Sequence, residues 1–293
     1  MAGWRVVSVS SRAKLELKMN YLVVRNDSCT KRVFLDEISV LVIENTGCAL
    51  TASLLEALSQ KKINVIFCDA HHNPISQLVP LYAHFEANAH IYSQLQWTDS
   101  IKGDVWAEII RMKIEKQADN IRIVSPDVAD RLLAYIPDIQ SGDTTNREGI
   151  AAKVYFNALF NHDFSRSDEC FENAVLNYGY SVLLSCINRQ IVASGYLTQL
   201  GIFHHNTFNH FNLGCDLMEP FRPIIDHALL GLPEAEELTS DIKHSLLDVL
   251  NTSVKIDQCT TTLLNAIQIY VRSVLDALDA QDVSLIKRYS YEF

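Results

Sequence analysis

Two short segments of the chain carry residue types able to do chemistry. The first is Asn146-Arg147-Glu148-Gly149-Ile150-Ala151-Ala152, which sets a carboxylate, Glu148, in the first turn of an apolar helical stretch. Taken alone, such an acid complements the helix dipole. The second runs from Gly201 to Pro223 and holds His204, His205, Asp216 and Glu219. Asp216 and Glu219 stand at i and i+3, so a helix there puts both carboxylates on one face. Two like charges on a half-buried face repel unless a proton or a cation lies between them. Carboxylates joined by an imidazole suit a hard divalent ion in a phosphoryl-transfer site, Mg2+ or Mn2+, better than a structural zinc. Against this, a single His in a loop is more often a satisfied polar residue than a ligand.

Other polar clusters read more simply. His71-His72 lies beside Asn73-Pro74 and is expected in a polar turn; His210 sits among Phe208, Asn209, Phe211 and Asn212, where base stacking or loop packing fits as well as ligation. Glu234, Glu236, Glu237 and Asp241 read as a solvated helix face. The chain has no GxGxxG, GxxxxGK[ST], HExxH or GxSxG sequence, which leaves nucleotide-binding and serine-hydrolase classes without support. Seven scattered cysteines with no CxxC pair read as reduced thiols that behave as small hydrophobes.

The elements that must position these residues divide near residue 85. The first part reads as short strands over 4–9, 14–18, 21–25, 32–35 and 38–43, then a helix over 52–60 capped by Thr51, then strands near 63–68 and 75–79, with a meander as the simplest order. After Pro80 the pattern is helical: 87–117, 127–135, 147–160, 168–196, 213–230, 234–250 and 260–278. The expected class is α+β, with a small β-sandwich-like N-terminal domain (1–84) and a larger all-α C-terminal domain (85–293). At 48% hydrophobic and 20% charged over 293 residues the chain can bury a sizeable core. No apolar run reaches the roughly 18 residues of a membrane span, so a cytoplasmic protein without a membrane partner is expected. The net charge of -10 opposes nucleic-acid binding if spread evenly. It is uneven: residues 1–85 carry nine Lys/Arg against seven Asp/Glu, and residues 86–293 carry 16 against 28.

Asn-Arg-Glu-Gly-x-Ala-Ala, Gly-x-x-His and Asp-Leu-Met-Glu-Pro-Phe-Arg-Pro, in that order and with this β-then-α layout, resemble the universal CRISPR-associated integrase family. The Met-Ala-Gly-Trp-Arg opening looks like the compact II-A subtype. The resemblance implies a metal-dependent DNA endonuclease and integrase that inserts foreign fragments as new spacers by attack of a fragment 3′-hydroxyl on array DNA. It implies Mg2+ or Mn2+ held by Glu148, His204 and Glu219, where some members have aspartate at the last position, and it gives Asp216 as a nearby acid less firmly a ligand. His205, Arg147 and Arg222 are accessory candidates, the arginines either as phosphate clamps or as salt bridges to neighbouring acids. It implies a homodimer formed through the N-terminal domain, and a heterohexamer with a dimer of a small ferredoxin-like adaptor. The DNA partners it implies are duplex with 3′ overhangs and CRISPR repeat DNA, and further II-A adaptation proteins and the effector nuclease come in as companions. Lys102, Lys113, Lys153 and Arg189 are candidates for a basic DNA strip. Two readings compete with the integrase: a metal-dependent phosphoesterase of small substrates, and a non-catalytic scaffold.

Overall fold

The structure, a computed structural model, describes residues 5–71, 73–80, 84–160, 164–233 and 235–291. The first part carries β1 (Arg5–Val9), β2 (Lys14–Lys18), β3 (Tyr21–Arg25), β4 (Thr30–Phe34), β5 (Ile38–Ile43), β6 (Ala49–Leu50), α1 (Ala52–Gln60), β7 (Asn64–Cys68) and β8 (Pro74–Gln77). These form two four-stranded sheets, ordered β4-β3-β2-β6 and β1-β5-β7-β8. The expected meander holds for β2, β3 and β4, which pair antiparallel. It fails for β1, β5 and β7, which run parallel. The physical reason is legible in β5: all six residues of Ile38-Ser39-Val40-Leu41-Val42-Ile43 are buried, as a central parallel strand covered on both faces requires.

Side-chain alternation then assigns the two faces. Leu41, Ile43 and Val65 join Val9, Leu15, Leu22, Leu54 and Leu58 in a core between the sheets and α1. Val40, Val42, Ile66 and Cys68 point the other way and enter the core of the helical part. One sheet therefore serves two cores.

The helical part holds α2 (Ala87–Leu95), α3 (Asp99–Arg122), α4 (Pro126–Leu133), α5 (Arg147–Leu159), α6 (Phe171–Ala193), α7 (Asn212–Met218), α8 (Arg222–Leu230), α9 (Ser240–Asp248) and α10 (Leu263–Ala280). Three departures from the sequence expectation have local causes. The helix expected over 87–117 is two helices, because Thr98 takes an extended conformation and its hydroxyl accepts from Ile101 N–H, capping α3. The helix expected over 213–230 breaks at a single 3-10 turn, Glu219–Phe221, where Pro220 removes a backbone donor, and restarts as α8 with Pro223 in its first turn. The all-α expectation also misses a three-stranded antiparallel sheet, β10 (Cys259–Thr262), β9 (Ser253–Ile256) and β11 (Tyr289–Ser290). All seven cysteines are free. Among the described residues no helix is long and apolar enough to cross a membrane.

Candidate metal centre

Glu148 and Glu219 reach the same place from elements far apart in sequence. Glu148 stands at the start of α5, where Asn146, in the left-handed region, accepts from Gly149 N–H through its side chain. The Asp143 carboxylate accepts from Arg147 and Glu148 N–H at 2.8 and 2.9 Å. The terminus that carries Glu148 is thus satisfied by two side chains. Glu219 stands in the proline-flanked turn between α7 and α8. The C-terminal strand buttresses that turn: Tyr289 donates its hydroxyl to Pro220 O at 2.7 Å and stacks on Phe221 with ring centres 4.6 Å apart.

Between the two carboxylates lies Lys113 of α3. Its ammonium donates to Glu148 Oε1 and, at 2.5 Å, to Glu219 Oε2, while Arg222 Nε lies 3.0 Å from Glu219 Oε1. The Lys113 and Glu219 side chains are only 8% and 6% exposed. Burial alone would raise the Glu219 carboxyl, but the Lys113 and Arg222 charges outweigh it and hold the group below its usual range. The same pairing raises Lys113 against the opposing effect of burial.

His204 is fixed by Asp216. Asp216 is fully buried and accepts from the backbone N–H groups of Ile202, Phe203 and His204 at 2.7, 3.1 and 3.1 Å, and from His204 Nδ1 at 2.6 Å. The hydrogen bond to Asp216 raises the imidazole pKa. With Nδ1 committed to a carboxylate, Nε2 is left as the donor atom, as in carboxylate–histidine–metal arrangements. Gly201 permits this close turn, since a Cβ there would lie 2.4 Å from His204 O and 2.7 Å from Asp216 Oδ2. Phe203 stacks on Trp106 at 4.2 Å, and both rings present themselves edge-on to the imidazole.

The expectation of a shared Asp216–Glu219 cation is corrected by this geometry. Asp216 spends its oxygens on the 202–204 backbone and His204, and Glu219 turns to Lys113 and Arg222. Arg147 pairs with Asp138 at 3.0 Å and lies over the Tyr135 ring. Arg222 is likewise held by Glu219 and packs 4.7 Å over Tyr180. His205 lines a 430 Å³ cleft with Trp97, Lys102 and His210, a cleft that His204 does not line. Lys113 is no surface DNA contact, being buried in the site, and Arg189 donates to the Lys62 carbonyl. His71 takes its turn role, its N–H donating to Asp69, while His72 falls outside the described residues. Sequence reasoning missed the roles of Lys113 and Trp106, whose partners are distant in the chain, and that of Asp143, whose contacts lie only four and five residues on, at the start of α5.

Among the described residues, His84, Glu86 and His90 are the one group of three or more His, Cys, Asp or Glu donors whose ligand atoms lie within 4.8 Å of one another; the Glu148–His204–Glu219 set is wider. In the first group the rings belong to an aromatic column. His84 and His90 stack with centres 4.9 Å apart and planes at 30°, His84 Nδ1 accepts from Glu86 N–H, and His90 Nδ1 engages Ser194 O. Their column continues onto Phe85 and Tyr196, which is aromatic packing. The Glu148–His204–Glu219 set, by contrast, offers two hard carboxylates already drawn to a cation and an oriented imidazole, a donor set that fits Mg2+ or Mn2+.

A family model described as CRISPR associated protein Cas1 matches residues 6–253. The chain is 35% identical over 303 residues to the CRISPR-associated endonuclease Cas1 of Neisseria meningitidis serogroup C (strain 8013), covering 99% of each. Its fold is similar to that of a casposase solved bound to its integration product, with a TM-score of 0.77 at 18% identity over 96% of this chain and 93% of that one. It is also similar to a chain of a Cas6-RT-Cas1–Cas2 complex, with a TM-score of 0.73 at 16% identity over 97% of this chain and 36% of that one. The chain belongs to the CRISPR-associated Cas1 family.

Proposed function

We propose that the chain is a divalent-metal-dependent DNA endonuclease and integrase of CRISPR adaptation, in which Glu148, His204 and Glu219 hold Mg2+ or Mn2+. The observation that carries this reading is the convergence of Glu148 and Glu219 on one cation, Lys113, beside an imidazole oriented by Asp216. The relative at 35% identity is named an endonuclease, and the casposase of similar fold was solved bound to an integration product. When bound, the ion supplies Lewis-acid polarisation of the target phosphate and activation of the attacking 3′-hydroxyl. The chain's own part is positioning. Glu148 and Glu219 present hard oxygens from rigid helix termini, Asp216 holds the imidazole, and Trp106 and Phe203 wall one side of it.

A neighbour of similar fold was solved in a complex with Cas2. That supports assembly with a small adaptor dimer, in which homodimers of this chain bind overhang duplex and repeat DNA, with the II-A companions and the cytoplasmic setting following from the same resemblance. An acidic chain engages DNA in such an assembly through a local basic strip rather than through net charge.

The test is strand transfer of a labelled duplex with 3′ overhangs into a plasmid carrying the repeat, with and without the adaptor, in Mn2+ or EDTA. Joining is expected only with metal and is lost in Glu148→Ala, His204→Ala and Glu219→Ala, each of which stays folded. Transfer retained in EDTA, or in any of the three variants, removes the metal or that residue from the reading. A folded wild type that joins nothing favours a small-substrate phosphoesterase or a scaffold.

A further inference from the structure

The candidate centre already contains a cation that belongs to the chain. Lys113 Nζ takes Glu148 Oε1 and Glu219 Oε2 together, buried beneath residues of α3, α5 and the proline-flanked turn. These carboxylates come from elements 71 residues apart in sequence, and the ammonium bridges them. Glu148 and Glu219 would hold a divalent ion through the same carboxylate oxygens that Nζ now engages. Two positive groups so placed, in a site this buried, repel strongly. Arg222 Nε lies 3.0 Å from the other oxygen, Glu219 Oε1, so Glu219 has a second cation beside it besides Lys113.

We propose that Lys113 is the resident counter-ion of the metal site: it holds Glu148 and Glu219 together in the metal-free chain and must release them for a divalent ion to enter. This rests on the reading of Glu148, His204 and Glu219 as the metal site. Lys113 is thus a positioning residue that competes with the metal. The competition lowers apparent metal affinity by the fraction of chains in which the ammonium has let go, and it keeps the metal-free protein folded with its acids matched. Any agent that draws Lys113 away, including a DNA phosphate arriving at the site, strengthens metal binding, which couples substrate arrival to loading of the ion.

The test uses the full chain without DNA. Mn2+ binding by calorimetry and thermal melting with and without Mn2+ are compared for wild type, Lys113→Met and Glu219→Ala. Lys113→Met is expected to melt lower than wild type without metal, to bind Mn2+ about tenfold more tightly, and to gain more melting temperature from saturating Mn2+. Equal or weaker Mn2+ binding in Lys113→Met, with wild type binding and Glu219→Ala not, overturns the counter-ion role and leaves the metal site standing. If neither wild type nor Lys113→Met binds Mn2+ better than Glu219→Ala, the metal site is overturned and this inference with it; Mn2+ bound by Lys113→Met but not by wild type supports the counter-ion role. Should Lys113→Met fail to fold, reductive methylation of wild type read by mass spectrometry decides. Lys113 is expected to be protected without metal and modified with Mn2+, and unchanged protection overturns the proposal.

Discussion

Asp216 Oδ1 lies 2.6 Å from His204 Nδ1, and the same carboxylate takes three consecutive backbone N–H groups from the loop that carries the imidazole. Asp216 thus fixes both the position of His204 and the ring nitrogen left free. Replacing it with Asn puts an amide group opposite those donors and leaves at least one of them unsatisfied, at a cost of about 1–3 kcal/mol for each. Asp216→Asn is expected to weaken Mn2+ binding by about 10- to 100-fold. Because the two residues act as a unit, Asp216→Asn combined with His204→Gln should lose much less than the sum of the single losses. A double-mutant cycle on Mn2+ affinity checks this; additive losses would refute the coupling.

Gly201 supplies no side chain to the site, yet its absence of one is what lets the 201–204 turn close on Asp216. Gly201→Ala places a Cβ against His204 O and Asp216 Oδ2 and must push the turn outward, costing about 1–3 kcal/mol. Mn2+ affinity should fall with stability. The control is Gly231→Ala, where the nearest atom a Cβ would meet is 3.6 Å away, and which should leave both properties unchanged. Calorimetric and melting measurements that fail to separate the two variants would sink the argument.

How much of this was legible beforehand depends on how far apart the partners lie in sequence. The strands of the first part follow from period-two patterns, and their bounds were readable to within a residue or two. The parallel order β1-β5-β7 was not, since pairing across a crossover leaves no local mark other than the unbroken apolar run of β5. The first helical break was hidden because Trp97 continues the apolar spacing, while its indole N–H donates 2.7 Å to Asp279, 182 residues away. The second was available locally in Pro220 and Pro223. At the site, Glu148, His204 and Glu219 were picked out by type and motif. Lys113 reads in sequence only as one more candidate for a basic DNA strip, because its partners stand 35 and 106 residues away.

Beneath the site, Asp226 of α8 receives the Tyr180 hydroxyl of α6, with Tyr155 of α5, Lys113 of α3 and Arg222 of its own helix facing it. Burial pushes its carboxyl up to about 6, against the Tyr180 hydrogen bond and the two cations. A folded-state pKa above the unfolded value of 3.8 means the folded chain keeps a proton that the unfolded chain releases. The associated stability is complete below about pH 4, falls as pH climbs through about 6 and is level above that. Asp226→Asn lacks this dependence. The stability difference between wild type and variant should therefore shrink by on the order of 2–3 kcal/mol between pH 4 and pH 7. Urea unfolding at steps of pH checks it, and a constant difference over that interval would count against the buried acid.

The sheet that serves two cores sets a limit on how separable the N-terminal part is. Val40, Val42, Ile66 and Cys68 are each no more than 5% exposed, and they are covered by the helical part rather than by the second sheet. Cutting the chain after residue 84 would uncover these side chains together, a contiguous apolar strip on the central strands β5 and β7. Fully burying an aliphatic side chain is worth about 1.5–3 kcal/mol, so exposing Val40, Val42 and Ile66, besides Cys68, removes an amount comparable to the roughly 5–15 kcal/mol of a whole domain. The Arg189 hydrogen bond to Lys62 O is lost with the same cut. A fragment of residues 1–84 is therefore expected to be unfolded or aggregated in isolation, and the intact chain to unfold in one transition with no separate melting of its β-rich part. Circular dichroism of the fragment and calorimetry of the full chain test the two halves of this expectation. A fragment with a cooperative melt of its own, or two resolved transitions in the full chain, would show that the shared sheet does not bind the two cores into one folding unit.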